Sequence, residues 1–127
     1  MNVLQALPAL SPGLDVSDRT PDARPAGAYA VVSDGMDGAG RQFYARADGH
    51  APQVRELTVL VTLYGALGSE LADLRPLYHA ARRLPGRVTR HPGIPAVRGV
   101  SLGPCLAPRH DGDRPWAAVR LLLTYVE

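Results

Sequence analysis

Lysine is missing from this chain: all 14 basic residues are arginine, set against 12 acidic ones, for a net charge of +2. So slight an excess excludes a polybasic nucleic-acid sponge. An all-arginine complement follows from a GC-rich genome, or from forked contacts with carboxylates at subunit interfaces. Cysteine occurs once, as Cys105, which rules out an internal disulfide or a zinc site built on cysteine alone. Aromatic residues are few, one Trp, one Phe and five Tyr, so the core must come mainly from Leu, Val and Ala. No stretch nears the roughly 18 unbroken apolar residues of a membrane-spanning helix. Met1-Asn2-Val3-Leu4-Gln5 has neither a basic n-region nor an apolar h-region, so no secretory signal is expected.

What is present suits one globular domain spanning all 127 residues, with 46% hydrophobic and 20% charged side chains. Thirteen Gly and 12 Pro predict many loops between short elements. Val3, Leu4, Leu7 and Leu10 have helical spacing over residues 2–10, and Ser11-Pro12-Gly13 stops them. Residues 15–27 read as an irregular connector. Strands are expected at 28–33 and 41–46, joined through the glycine-rich stretch 35–40 as a protruding hairpin over 28–46.

Residues 53–65 carry the clearest strand signal: Leu57, Val59, Val61 and Leu63 share one aliphatic face, and Thr58, Leu60, Thr62 and Tyr64 the other. Leu71, Leu74, Leu77, Tyr78, Ala81 and Leu84 then form one helical stripe within 69–84, with Ser69 placed to cap it. Pro76 requires either a kink or a start at Asp73. A strand over 97–103 and a polar loop over 104–115 follow. The closing strand, 116–126, alternates Ala117, Val119, Leu121, Leu123 and Tyr125 with Arg120 and Thr124. The order α-β-β-β-α-β-β predicts an α+β domain, its mainly antiparallel or mixed sheet packed by helices on one face.

Candidate chemistry is sparse. Gly99-Val100-Ser101-Leu102-Gly103 matches the G-x-S-x-G nucleophile elbow, which needs a strand, a strained turn and a helix. Pro104 and a polar stretch follow instead, so a glycine-flanked strand is the expectation. His50, His79, His91 and His110 show no paired metal spacing. Asp34-x-x-Asp37 and Asp111-x-Asp113 lack the oxygen ligands and closing Glu of a calcium loop and read as turns. Gly35, Gly38 and Gly40 follow a strand, but no Lys-Ser/Thr pair follows them, which excludes a phosphate loop. Arg41, Arg46 and Arg55 with Phe43 and Tyr44 make a small basic-aromatic strip, too diluted by Asp48 and Glu56 for specific nucleic-acid binding. No catalytic residue, cofactor or metal site is expected, and the chain is not read as an enzyme.

The element order resembles that of the tail terminator (tail completion) proteins of long-tailed bacteriophages and related tail-like particles. The short N-terminal helix, the Pro-rich approach to Ala28-Tyr29-Ala30-Val31-Val32 and above all Val54-Arg55-Glu56-Leu57-Thr58-Val59-Leu60-Val61-Thr62-Leu63-Tyr64-Gly65 carry the likeness. An amphipathic helix, Gly86-Arg87-Val88 and the terminal Trp116–Tyr125 strand continue it over nearly the whole length. It is a pattern of elements without a diagnostic motif, and the short first helix and Pro76 depart from it.

The resemblance implies a virion protein at the tail–neck junction, assembled in the host cytoplasm. Such proteins form a ring, typically of six subunits, that stops tail-tube growth and offers a surface to the neck. Partners would be further copies of the chain, the tail tube protein and a neck or head-completion protein, with no membrane involved. In a ring, the 28–46 hairpin would place Arg41, Phe43, Tyr44 and Arg46 at the subunit interface. Two alternatives stand beside it: another neck or minor tail protein, and a cytoplasmic α+β module binding a small molecule.

Overall fold

The computed structural model describes residues 1–34, 41–44, 54–94 and 96–126. Helix α1 spans Val3–Leu10 and α2 spans Leu71–Ala81; strands β1 to β7 span Asp15–Ser17, Tyr29–Asp34, Arg41–Tyr44, Val54–Tyr64, Val97–Leu102, Leu106–Asp111 and Arg114–Val126. They form one mixed sheet in the order β1-β2-β4-β7-β5, in which β3 also pairs with β4 and β6 with β7. Only β1 runs parallel to its neighbour, β2. The domain is thus α+β with helices packed on a sheet, as the alternation pattern predicts.

The centre of the sheet is the antiparallel pair β4–β7, in register from Val54↔Val126 to Tyr64↔Trp116. This register sets Leu57 opposite Leu123, Val59 opposite Leu121, Val61 opposite Val119 and Leu63 opposite Ala117. All eight are buried, and Val59, Val61, Leu63, Val119, Leu121 and Leu123 have no exposed surface. Ala30 and Val32 of β2 join them under a single layer of helices. Helix α1 adds Val3, Ala6 and Leu7, while α2 and the following 3₁₀ turn, Leu84–Gly86, add Leu74, Tyr78, Ala81 and Leu84.

Local chemistry sets the helix ends. Asn2 caps α1: its Oδ1 accepts from the Gln5 N–H, and Gln5 Oε1 accepts from the Asn2 N–H, both at 2.9 Å. α2 starts at Leu71 behind Glu70, whose N–H donates to the Asp73 carboxylate at 2.8 Å. Ser69 is not the cap; its hydroxyl closes the preceding turn on the Ala66 carbonyl at 2.7 Å. Pro76 therefore sits inside the helix, in its second turn, and not in the first turn of a helix that starts at Asp73. It is exposed, and the Ala72 carbonyl that loses its N–H partner lies on the same wet side.

Three expectations need correction. Residues 28–46 are not a hairpin of two strands paired to each other. β2 pairs with Val59–Tyr64 and β3 with Val54–Glu56. Because β7 occupies the other edge of β4, the two segments follow each other along one edge in the same direction. Both are drawn to β4 because it is long and aliphatic enough to template two partners. Second, the polar loop over 104–115 contains strand β6, which pairs with β7 through the turn Asp111-Gly112-Asp113-Arg114. Gly112 has φ +67°, as such a tight turn requires. Pro108 is tolerated because β6 is an edge strand with one unpaired side. Third, the connector 15–27 begins with β1, whose three residues are too few to show a period.

Gly65 ends β4 where the chain passes closest to β7. Its N–H donates to the Pro115 carbonyl at 2.8 Å, and a Cβ there would lie 2.7 Å from the Pro115 ring. Beyond it the Gly68 N–H donates to Asp113 at 2.9 Å, tying the start of α2 to the β6–β7 turn.

Val61→Ala and Leu74→Ala should each destabilise the domain by about 2–4 kcal/mol, from lost transfer energy and a residual cavity. Chemical denaturation measures this. Losses under about 0.5 kcal/mol at both sites would mean that the register or the helix phase described here is wrong.

Candidate functional site

The residues singled out from the sequence fall into three groups. Arg41, Phe43 and Tyr44 belong to β3, where Arg41 pairs with Glu56, Gln42 with Arg55 and Tyr44 with Val54. Arg46, His50, Asp37 and the glycines at 35, 38 and 40 lie outside the described residues. Ser101 is exposed on β5, and the chain beyond it continues through Gly103 and Pro104 into β6 rather than into a helix. Gly99 and Gly103 pack on Thr124, Leu122 and Arg120 of β7, so both glycines serve strand contact.

The histidines are dispersed. His79 is exposed on α2 beside Tyr78, and His110 is exposed on β6. His91 has a partner: its Nε2 lies 3.1 Å from Asp34 Oδ1 and 3.3 Å from Oδ2. The two residues are 57 positions apart, so no spacing rule finds them. They line a cavity of about 330 Å³ with Asn2, Val3, Leu4, Asp18, Val32 and Ser33, at the mouth between α1 and the end of β2. Among the described residues, no three His, Cys, Asp or Glu side chains gather closely enough to hold a metal ion. The Cys105 thiol donates to the Gly103 carbonyl at 3.3 Å, across the break between β5 and β6.

The sheet has a second face, and no described helix covers it. Strand alternation puts Val31, Thr58, Leu60, Thr62, Ala118, Leu122 and Thr124 there, many of them half-buried. At one end, four strands align a row of rings and guanidinium groups. Tyr29 pairs with Tyr64, Tyr64 with Trp116, and Trp116 with Arg109. The two tyrosine rings stack at 4.5 Å and 13°, and the Arg109 guanidinium lies 5.6 Å from the Trp116 ring centre. Arg114 lies 5.3 Å from the Tyr29 ring centre and is only 2% exposed. Among the described residues its Nε and Nη1 have no hydrogen-bond partner, and the tyrosine face is a contact that offsets its desolvation.

Sequence reading placed the basic-aromatic contact in residues 41–46 and missed this row. Its members stand at strand ends in four separate segments and only the register unites them. The available signal was Tyr64 on the semi-polar face of β4, one residue before the glycine where the chain turns.

No family model matches the chain, and no curated protein is similar to it at a significant level.

Replacing Arg114 by Met should raise stability by about 1 kcal/mol, since it fills similar volume without burying a charge. A thermal melt measures it. A loss above about 2 kcal/mol would show that the guanidinium has a partner worth more than the Tyr29 ring.

Proposed function

We propose that this chain is a structural subunit of a tail-like particle, a tail-terminator-like protein that assembles into a ring, caps the tail tube and presents a surface to the neck. The observation that carries the reading is the single helical layer: among the described residues, α1 and α2 cover one sheet face, and no helix covers the other, which holds Leu60, Leu122, Trp116 and Tyr64, all half-buried. A face of that composition suits burial against neighbouring subunits or a tube. The element order supports it too, since the long β4, the amphipathic α2 and the terminal β7 follow the pattern on which the resemblance rests.

The edges of the sheet fit a capping role. An unprotected edge would invite open-ended strand addition, the opposite of termination. Here one outer edge includes the three-residue β1, and the other is broken between β5 and β6 by Gly103-Pro104-Cys105 and carries Pro108. Assembly through faces and ends, rather than through edges, then gives a closed ring. The particle's tail–neck junction is the proposed location, with the tube protein and a neck protein as partners.

A second reading has its own observation. The cavity of about 330 Å³ at His91 and Asp34 is of a size to take a small ligand, as expected of a small-molecule-binding module.

Light scattering on the purified chain separates the two: a discrete ring mass supports the terminator reading, and a monomer at all concentrations supports the module. Arg41→Glu combined with Arg46→Glu should leave the circular dichroism spectrum unchanged and weaken ring formation or tail joining at least tenfold. Unchanged assembly of that folded variant would remove residues 41–46 from the interface.

A further inference from the structure

The exposed charges of this domain are sorted along the strand axis. α2 begins beside the β6–β7 turn, and the 3₁₀ turn that follows it lies beside β5, whose Val97 pairs with Tyr125 at the far end of β7. Arg82, Arg83, Arg87, Arg90 and Arg98, all exposed, therefore collect at the Tyr125 end. Among the described residues none of these five has a carboxylate partner, and Arg82 rests 5.7 Å from the Tyr78 ring centre. Among the described residues, the acidic ones toward that end are Asp34, engaged by His91, the exposed Asp18 of the same cavity, and the half-buried Glu56.

The opposite end has the opposite sign. Asp15 pairs in register with Tyr29, Glu70 and Asp73 begin α2, Asp113 lies in the β6–β7 turn, and Asp22 lies on the segment leading back to β2. All five are exposed. Among the described residues, the cations there are the exposed Arg24, Arg109 over the Trp116 ring, and the buried Arg114. The thirteen residues of β7 separate the two ends by roughly 40 Å.

Helix electrostatics explains part of this sorting. Acids at the start of α2 and arginines at its end both complement the helix dipole. Arg90, Arg98, Asp15, Asp22 and Asp113 belong to no helix terminus, and Arg87 ends only the short 3₁₀ turn, yet all follow the same division. Like charges so gathered repel within one subunit, and a partner of opposite sign relieves the repulsion.

We propose that the arginine end of one copy docks on the acidic end of the next, a heterologous head-to-tail contact whose repetition closes the ring. The inference rests on the ring reading above and names the surfaces that form it. A second copy is the favoured occupant because the same chain carries the complement, and because arginine forks match carboxylates in two-point contacts. A head-to-tail contact closes into a ring when its rotation allows, whereas a two-fold contact stops at a dimer.

The test uses paired charge reversals outside α2. Arg87→Glu, Arg90→Glu and Arg98→Glu make both ends of one variant acidic; Asp15→Arg, Asp22→Arg and Asp113→Arg make both ends of another basic. Circular dichroism checks that each folds, and the corresponding Gln and Asn variants replace any that does not. Light scattering should then find each reversed variant at subunit mass alone and the equimolar mixture at the wild-type assembly mass, since alternating copies restore complementarity. Neutral variants should weaken assembly at least tenfold, and wild-type assembly should weaken as salt rises. A wild-type ring that neither reversal disturbs overturns the inference and leaves the ring reading standing. A mixture that stays at subunit mass also overturns it. A wild-type chain that never exceeds subunit mass overturns the ring reading and this contact together. A gel shift with duplex DNA covers the rival occupant: wild-type binding lost only in the arginine-reversed variant, with assembly intact, assigns the patch to nucleic acid instead.

Discussion

The pairing of β4 with β7 is the interaction on which the rest of this domain depends. It brings residues 54–64 against 116–126, more than fifty positions away, and matches aliphatic side chains on one face along the whole register. Each remaining strand except β1, which pairs with β2, attaches to one of these two. β2 and β3 share the free edge of β4, and β5 and β6 share the free edge of β7. The helices in turn have a surface to cover because Leu57, Val59, Val61 and Leu63 lie flush with Ala117, Val119, Leu121 and Leu123. A register slip of one residue would send both aliphatic sets to the wrong face. The core is thus tied to a single alignment.

That arrangement leaves an asymmetric molecule. One face is sealed by α1 and α2, and the other keeps a mixture of hydroxyl, aliphatic and aromatic groups without a second layer among the described residues. The tyrosine pair at 4.5 Å, with Arg114 buried over one ring, shows how one end of that face is closed locally. The same asymmetry runs along the strands, where the arginine end and the acidic end differ in sign. A domain that differs between its faces and between its ends is suited to a position in an assembly, which is why a ring subunit is the reading proposed.

The two broken edge rows show how a short chain builds a wide sheet. Each of the long strands templates two shorter segments, and between β5 and β6 the chain leaves the sheet at Gly103-Pro104-Cys105. Edge breaks of this kind also frustrate pairing with a stray strand. Prolines that would damage an inner strand, such as Pro108, are harmless on the outside.

By itself the sequence determined the elements with long periodic patterns and their buried faces. Alternation over 53–65 and 116–126 and the stripe through Leu74, Tyr78, Ala81 and Leu84 are local signals, because each element's own geometry sets its period. Leu71 and Leu77 were read into the same stripe, yet both are only half-buried, since α2 lies chiefly over β7 and β6. Tertiary structure alone decided what depends on partners far along the chain. β1 and β6 are strands because an edge of the sheet was open to them, although their own residues read as connector and loop. Residues 28–34 and 41–44 follow one another along β4 because its length holds both. His91 meets Asp34, Arg114 meets Tyr29, and the arginines gather at one end only once the β4–β7 register exists. A contact between distant residues costs loop-closure entropy that only the assembled core offsets, and for that reason no local pattern announces it.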